Sequence, residues 1–480
     1  MTETMTQRTD WRALWASGDL GRFCFVSLGI LLHATNETMI ATVMPSMVAD
    51  IRGVELVGWS LAIFEVGSIA AGAAAGRLIS YVALRTNMAV AAAIYAVGAL
   101  ICATAPDMQW FLAGRLFQGM GGGALVALAF VSVERLFPRA IWPQLFAIMS
   151  VIWGVAAFSG PLIGAVMAEM LSWRWAFGVF VFAGAGMAAI SFAVLTSPAA
   201  RIPRAGDAIL PRFPILRLAC LAVAVVLIAL AGVGIEPLRS SILLLLGLAG
   251  IAFFFRLDAR RPESRLFPSR PLDPSTAVGS GLIMFGAFSA GTIAFTIYAP
   301  LILTTLHGVS LITTGYIIAA EAVAWSVMSI AVAGARPRQE RAIILAGALM
   351  ITAGMTGLVY AMPSGAISLV LACAILQGGG FGLVWPFVTR IVVAAAHEDE
   401  RSVASSAVPT IQRIGYAVGA AVAGIVANAA GFGEGLTRET AASVAAWLFL
   451  AFIPLGLVGC LAALRLLRQA GSSAAIVREG

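Results

Sequence analysis

Apolar runs of about twenty residues recur along nearly the whole of this chain, and a helix of that length is what crosses a ~30 Å hydrocarbon core. Lipid offers no partner to backbone N–H and C=O groups, so such runs fold as helices that satisfy their own backbone. Composition agrees with the runs. Of 480 residues, 60% are hydrophobic and 11% charged, whereas about a quarter of a soluble domain is charged. The expectation is an all-α polytopic membrane protein with fourteen spans, over 22–46, 56–77, 86–105, 109–134, 141–167, 174–196, 214–235, 239–256, 275–303, 310–333, 341–361, 365–393, 402–429 and 443–466. No cleavable signal is read at the start, because the first run is polar in its middle and no small-x-small site follows it. Trp11 and Trp15, in the tail before it, suit the membrane interface.

All 30 basic residues are arginine, which excludes a phosphate-loop or Schiff-base lysine. The arginines also report sidedness. With a cytoplasmic amino terminus, Arg52, Arg174, Arg239 and Arg438 fall on the far side, and Arg115 and Arg413 fall inside spans. Every other arginine lies in the tails, in inner loops or at inner helix ends, so both termini are expected inside. The net charge of +7 then marks the inner membrane face and not a nucleic-acid surface. The five cysteines, Cys24, Cys102, Cys220, Cys373 and Cys460, all lie in expected spans without metal or redox spacing. No disulfide framework, metal site or cofactor is expected.

The longest polar stretches, RIPRAGDAILPRFP (201–214) and RLDARRPESRLFPSRPLDP (256–274), bracket two very apolar helices. This suggests a six-helix bundle over 1–198, cytoplasmic linkers with two extra transmembrane helices over 199–273, and a second six-helix bundle with a cytoplasmic tail over 274–480. An internal repeat supports the division. LFQGMGGGALVALAFV (116–131) resembles ILQGGGFGLVWPFV (375–388), and Glu65 in SLAIFEVGSIAAG is read as matching Glu321 in IIAAEAVAWSVMS. Two parallel repeats are the arrangement of a transporter that rocks one half against the other.

Ionisable residues inside spans are costly, at least ~2.5–3.5 kcal/mol on insertion scales, and are functional candidates by default. The first span holds His33, Asn36 and Glu37 where leucines are expected. At 1.5 Å per residue, Glu37, Glu65 and Arg115 lie about 9–13 Å from the outer ends of their helices, which permits one shared layer. Glu321 and Arg413 sit near the middle of theirs. His33 is one turn from Glu37, a spacing that allows contact. The bland alternatives are a protonated glutamate bonded to its neighbours and an arginine tying carbonyls together.

These residues carry a family resemblance over essentially the full length. NETMIATVMP (36–45), GRLFQGMGGG (114–123), GVAAFSGPLIG (154–164), SWRWAF (172–177) and QRIGYAVGAAVAG (412–424) occur in the order and spacing of the major facilitator superfamily. They are most similar to its fourteen-helix drug/proton antiporters of the EmrB/QacA type. The resemblance implies the major facilitator fold and a proton-coupling role for Arg115. It also implies a bend at Gly154, Gly160, Pro161 and Gly164 that favours export, and contact between spans 2 and 13. Depth then makes Glu65 and Arg413 an expected ion pair between the halves. Two departures matter. Asn36 stands where the family has an aspartate, with Glu37 one place later. The inner loop GRLISYVALR (76–85) keeps Gly76 and Arg85 but has Ser80 for the acid and Ala83 for a glycine.

The function implied is a proton-coupled inner-membrane transporter, working as a monomer that exports amphipathic or cationic drug-like compounds. Phe285, Phe288, Phe295, Tyr298 and Trp385 are expected to offer aromatic cavity contacts to a cation. Export of a cell-made lipid or metabolite, proton-linked uptake and a membrane scaffold are the alternatives. No Ser/His/Asp set or phosphate loop points to an enzyme. Expected partners are a small-molecule substrate, protons and the lipid bilayer, with no nucleic acid; a periplasmic adaptor is left open.

Overall fold

The computed structural model describes residues 19–79, 82–137, 141–195, 215–260, 265–336 and 338–479. Fourteen α-helices account for most of them, one for each expected span. They are α1 Asp19–Ile51, α2 Val57–Leu78, α3 Leu84–Ala103, α4 Met108–Leu136, α5 Trp142–Met170, α6 Trp173–Val194 and α7 Ile215–Ala231, then α8 Pro237–Ala259, α9 Ala277–His307, α10 Leu311–Ala331, α11 Glu340–Ser364, α12 Ile367–Ala395, α13 Arg401–Ala429 and α14 Arg438–Glu479. Among the described residues, thirteen helices are long and apolar enough to cross a membrane, and α7 supplies a shorter apolar one. Helices α1 and α14 outrun their expected bounds because polar residues carry them past the apolar window. Asp107, Ser172, Thr276 and Ser310 cap helix starts by accepting from the N–H groups of Trp110, Arg174, Gly279 and Thr313, donors that a helix start leaves open.

Glycine seams set how the helices pack within each half. A Cβ on Gly119 would stand 2.1 Å from the Phe64 carbonyl oxygen, and one on Gly123 2.3 Å from that of Ser68. In the second half, Gly378 lies in the same way against Glu321, at 1.8 Å, and Gly382 against Trp325, at 2.3 Å. Only glycine permits such approach, which replaces the missing hydrophobic drive between helices in lipid. The paired seams also correct the repeat. With Gly119 matched to Gly378 and Gly123 to Gly382, Glu321 takes the place of Phe64, not of Glu65. The two acids are one residue out of register, about 100° apart around the helix.

The first six helices pack on one another, as do the last six, and the two groups meet along α2–α13 and α5–α10. At one face the halves are joined closely. Asn428 Nδ2 donates to the Glu55 carbonyl at 2.7 Å, and the Ile312 N–H donates to Glu169 at 3.2 Å. A Cβ on Gly58 would stand 2.7 Å from the Ala420 carbonyl. Contacts continue inward to Arg413 and to Gly154, which abuts Ser326. The described ties between the halves thus gather at the face holding Ile51 and Ala429, which is closed. Helix α7 lies across the seam, with Ile228 and Ala229 packed on Ala421 beside Val418, Val422, Ile425 and Trp59.

Candidate functional site

At the junction of the halves, α1, α2, α4, α5 and α13 bring one group of polar side chains together. On α1, His33 and Glu37 are four residues apart and share a face, while Asn36 is turned about 100° away. Asn36 faces α4, where Arg115 Nη1 donates to its Oδ1. Arg115 also donates to Gln118 Oε1 at 3.0 Å and to the Ser60 carbonyl at 3.3 Å, and its guanidinium lies 4.2 Å from the Phe64 ring centre. It is fully buried, and among the described residues its hydrogen bonds go to neutral groups. A side chain on Gly122 would meet His33 Nδ1 at 2.3 Å, so the glycine run of α4 is what lets α1 approach.

Glu37 faces the other way, toward the second half. Arg413 Nη1 on α13 lies 2.9 Å from Glu65 Oε2 on α2 and 3.8 Å from Glu37 Oε2. Ser68 adds its hydroxyl at 3.4 Å, and Trp153 on α5 places its ring centre 5.8 Å from the guanidinium. One arginine thus serves two carboxylates unequally. Glu65 is fully buried, whereas Glu37 keeps 15% of its side chain exposed. Neither ring nitrogen of His33 makes a hydrogen bond, yet Nε2 is 3.4 Å from Glu37 Oε2. The imidazole stacks on Phe64 at 5.1 Å and meets Trp153 edge-on.

Glu321 stands apart from this group. Among the described residues it has no ion-pair partner. The exposed stripe of α10 is Tyr316, Val323, Val327 and Ile330, and Glu321 is turned about 120–180° from each. One turn further on, Trp325 stacks on Phe381 at 5.0 Å and lies 5.7 Å from Trp385. On α13, Tyr416 accepts from Gln412 at 2.9 Å, one turn from Arg413.

The expected aromatic cavity is corrected. Phe285, Phe288, Phe295 and Tyr298 are buried completely or almost so, because α9 is the central helix of the second half and is enclosed on all sides. They offer no surface to a ligand in this conformation. Partly exposed rings come from Trp153, Trp325 and Trp385. Phe288→Leu is accordingly expected to cost about 1 kcal/mol of stability, as volume-tolerant core changes do, with no change in the range of compounds handled. Trp385→Leu is expected to alter that range. Melting temperature and a compound panel measured side by side separate the two.

The helix-5 glycines mate with α1. A Cβ on Gly160 would strike Thr38 Oγ1 at 2.0 Å, and one on Gly164 would strike Thr42 Oγ1 at 2.4 Å. Those hydroxyls donate to the carbonyls of Ala156 and Pro161 at 3.2 and 2.9 Å, before the helix proline and at it. Gly154 faces Ser326 of the other half at 3.1 Å. Of the inner-loop remnant, Gly76 lies in the last turns of α2, and Arg85 is exposed in the first turn of α3 without an ion-pair partner among the described residues. Ser80 lies outside the described residues. Asn87 donates to the carbonyls of Val82 and Ala83 at 2.8 and 3.3 Å, and so braces the start of α3. SWRWAF is an anchor: Trp173 Nε1 and Arg174 both donate to Asp50 at the end of α1, and Arg174 also reaches the Ala105 carbonyl.

Participants that escaped the sequence reading include Ser68, Gln118, Trp153, Trp325, Gln412 and Tyr416. Gln118 was open to discovery, since it sits three residues after Arg115 on the same helical face. No group of three or more metal-ligating side chains occurs among the described residues.

Comparison with known proteins bears on this arrangement. Residues 26–372 match the family model described as Major Facilitator Superfamily. The chain is 30% identical over 479 residues to a probable multidrug-efflux transporter of Mycobacterium tuberculosis, covering 96% of this chain and 97% of that one. Multidrug resistance protein 3 of Bacillus subtilis is 30% identical over 158 residues, 33% of this chain and 31% of that protein. Among solved structures, a D-xylose–proton symporter aligns over 93% of this chain and 97% of its own, with a TM-score of 0.62 and 16% identity. A bacterial homolog of the lysosomal transporter Spinster, in an inward-facing conformation, aligns over 96% and 99% with a TM-score of 0.62 and 14% identity.

Proposed function

This chain belongs to the Major Facilitator Superfamily, and from that membership we propose that it exports amphipathic or cationic compounds in exchange for protons by alternating access. The observation that carries the reading is the single guanidinium of Arg413 shared by Glu65 and Glu37 at the junction of the halves. Opening the closed face separates α2 from α13 and therefore pulls Arg413 from Glu65. A carboxylate left without its counter-charge in a dry site is too costly to keep ionised, and it takes a proton. Return to the present arrangement restores the pair and expels that proton. Proton movement and the exchange of faces are thus one event.

Direction follows from the arginine bias. With both termini cytoplasmic, the closed face is the outer one; in this scheme the inner face opens while Glu65 is ionised, and the outer face opens while it is protonated. Substrate loads from inside and protons load from outside, which is antiport. Glu37, beside His33 and farther from Arg413, is the second acid able to take a proton, and Asn36 with Gln118 holds Arg115 in place behind it. Glu321, with Trp325 and Trp385 near, is the acid that meets a cationic substrate. In this reading the chain forms two bundles, 1–198 and 274–480, around an insert, crosses a bacterial cytoplasmic membrane fourteen times and works as a monomer.

Purified protein in liposomes tests the proposal. Addition of a transported dye or drug is expected to drive proton movement across the bilayer, and Glu321→Gln is expected to weaken cationic compounds more than neutral ones. No compound-induced proton flux across a broad cationic and neutral panel would remove the antiport reading.

A further inference from the structure

The inserted pair α7–α8 touches both halves, so the question is which half carries it. A series of polar ties runs from the insert to the second half. At the end of the molecule where α7 begins, the buried carboxylate of Asp258 gathers Arg217 and the N–H groups of Leu266 and Phe267 at 3.0 and 2.9 Å. Phe267 packs into the insert between Phe254 and Phe255, with ring centres 6.1 and 5.1 Å away. The two helices and the segment after them are thereby knotted into one piece. That segment then binds Glu400 before α13: Arg265 pairs with Oε1, and Ser269 donates its N–H and hydroxyl to Oε2 at 3.0 and 2.8 Å. Farther along, the Pro274 carbonyl accepts from Gln469 of α14 at 2.9 Å.

The same is true at the closed face. Asn428 of α13 donates to the Gly232 carbonyl at 2.8 Å, and Gly232 sits so near Ile425 that a Cβ would meet its backbone at 3.0 Å. Against the first half, α7 presents apolar contact with α2, including Trp59. Apolar surfaces slide at little cost, whereas charge-assisted bonds resist separation.

We propose that α7 and α8 are fastened to the second half through Glu400 and Asn428 and travel with it, so that the body rocking against α1–α6 has eight helices and the α2–α7 contact is its sliding face. The proposal rests on the alternating-access reading above. Glu400 and Asn428 are positioning residues, and Asn428 has a double duty: the same amide holds Glu55 of the first half only while that face is closed.

Three spin-label pairs on the full chain, freed of its own cysteines and placed in nanodiscs, test it. The labels go on lipid-exposed positions, Val90 of α3, Leu245 of α8 and Leu457 of α14. Distances are measured at neutral and acid pH, and again with Arg413→Ala. The expected result is that Val90–Leu457 and Val90–Leu245 shift together by several ångströms while Leu245–Leu457 holds. A Leu245–Leu457 distance that shifts, whether Val90–Leu245 holds or moves, overturns the proposal. If all three distances hold under every condition, no eight-helix body moves, and the proposal fails together with the rocking of the halves. In that case the fixed Val90–Leu457 distance identifies the cause.

Discussion

Arg413→Ala is expected to abolish proton-driven transport in proteoliposomes, and Glu65→Gln to come close to it. Removing one partner of a buried ion pair leaves an uncompensated charge that costs about 3–5 kcal/mol, which corresponds to a loss of roughly a hundredfold or more in rate if it falls on the step where the pair re-forms. Both residues sit at the α2–α13 seam with the 2.9 Å contact between them, so each deletion strikes that step. The combined variant is expected to be no worse than Arg413→Ala alone, because residues acting as a unit are not additive. Glu37→Gln is expected to be milder and to change the pH profile of transport, since it leaves Glu65 with Arg413. If all of these variants transport like the unaltered protein, the coupling scheme is wrong.

Gly378→Ala is expected to cost more stability than an alanine at any other described glycine, and Gly119→Ala is expected to be among the next most costly. The added Cβ would stand 1.8 Å from the Glu321 carbonyl oxygen in the first case and 2.1 Å from that of Phe64 in the second. Backbone on a neighbouring helix cannot turn aside as a side chain does, so the helices must part. Overpacking of this kind costs about 1–3 kcal/mol, and more where the backbone cannot yield. Gly186→Ala and Gly334→Ala, where nothing lies within 4 Å, serve as controls. Melting temperatures in detergent should separate the pairs clearly, and coincident values would mean that the seams are not tight.

The helix count could be read from the chain because it depends on run length alone, a local property. Likewise the depth of Glu37, Glu65, Arg115 and Arg413 follows from a fixed rise per residue, and together with the packing of spans 2 and 13 that the family resemblance implies, it let the Glu65–Arg413 contact be anticipated. Rotation was harder. That Asn36 and Glu37 point 100° apart is fixed by helix geometry, but which of them meets Arg115 depends on where Gly122 lets α1 settle. The match of Glu65 with Glu321 failed for a related reason: register between repeats is set by the glycine contacts of α4 and α12, and these are visible only in three dimensions. Helix α9 misled most. An all-round apolar helix with regularly spaced aromatics looks the same whether its rings line a cavity or fill a core.

The sharing of Arg413 also bears on how the protein responds to membrane voltage. Two carboxylates and two guanidiniums, those of Arg115 and Arg413, give the group no net charge when both acids are ionised. If only Glu65 is protonated in each cycle, one proton enters for each monovalent cation that leaves, and the exchange is electrically silent. If Glu37 is protonated as well, one net positive charge moves inward per turnover, and the potential adds about 2.3 kcal/mol per 100 mV to the driving force. Glu37→Gln would then turn a voltage-driven exporter of monovalent cations into one driven by the pH gradient alone.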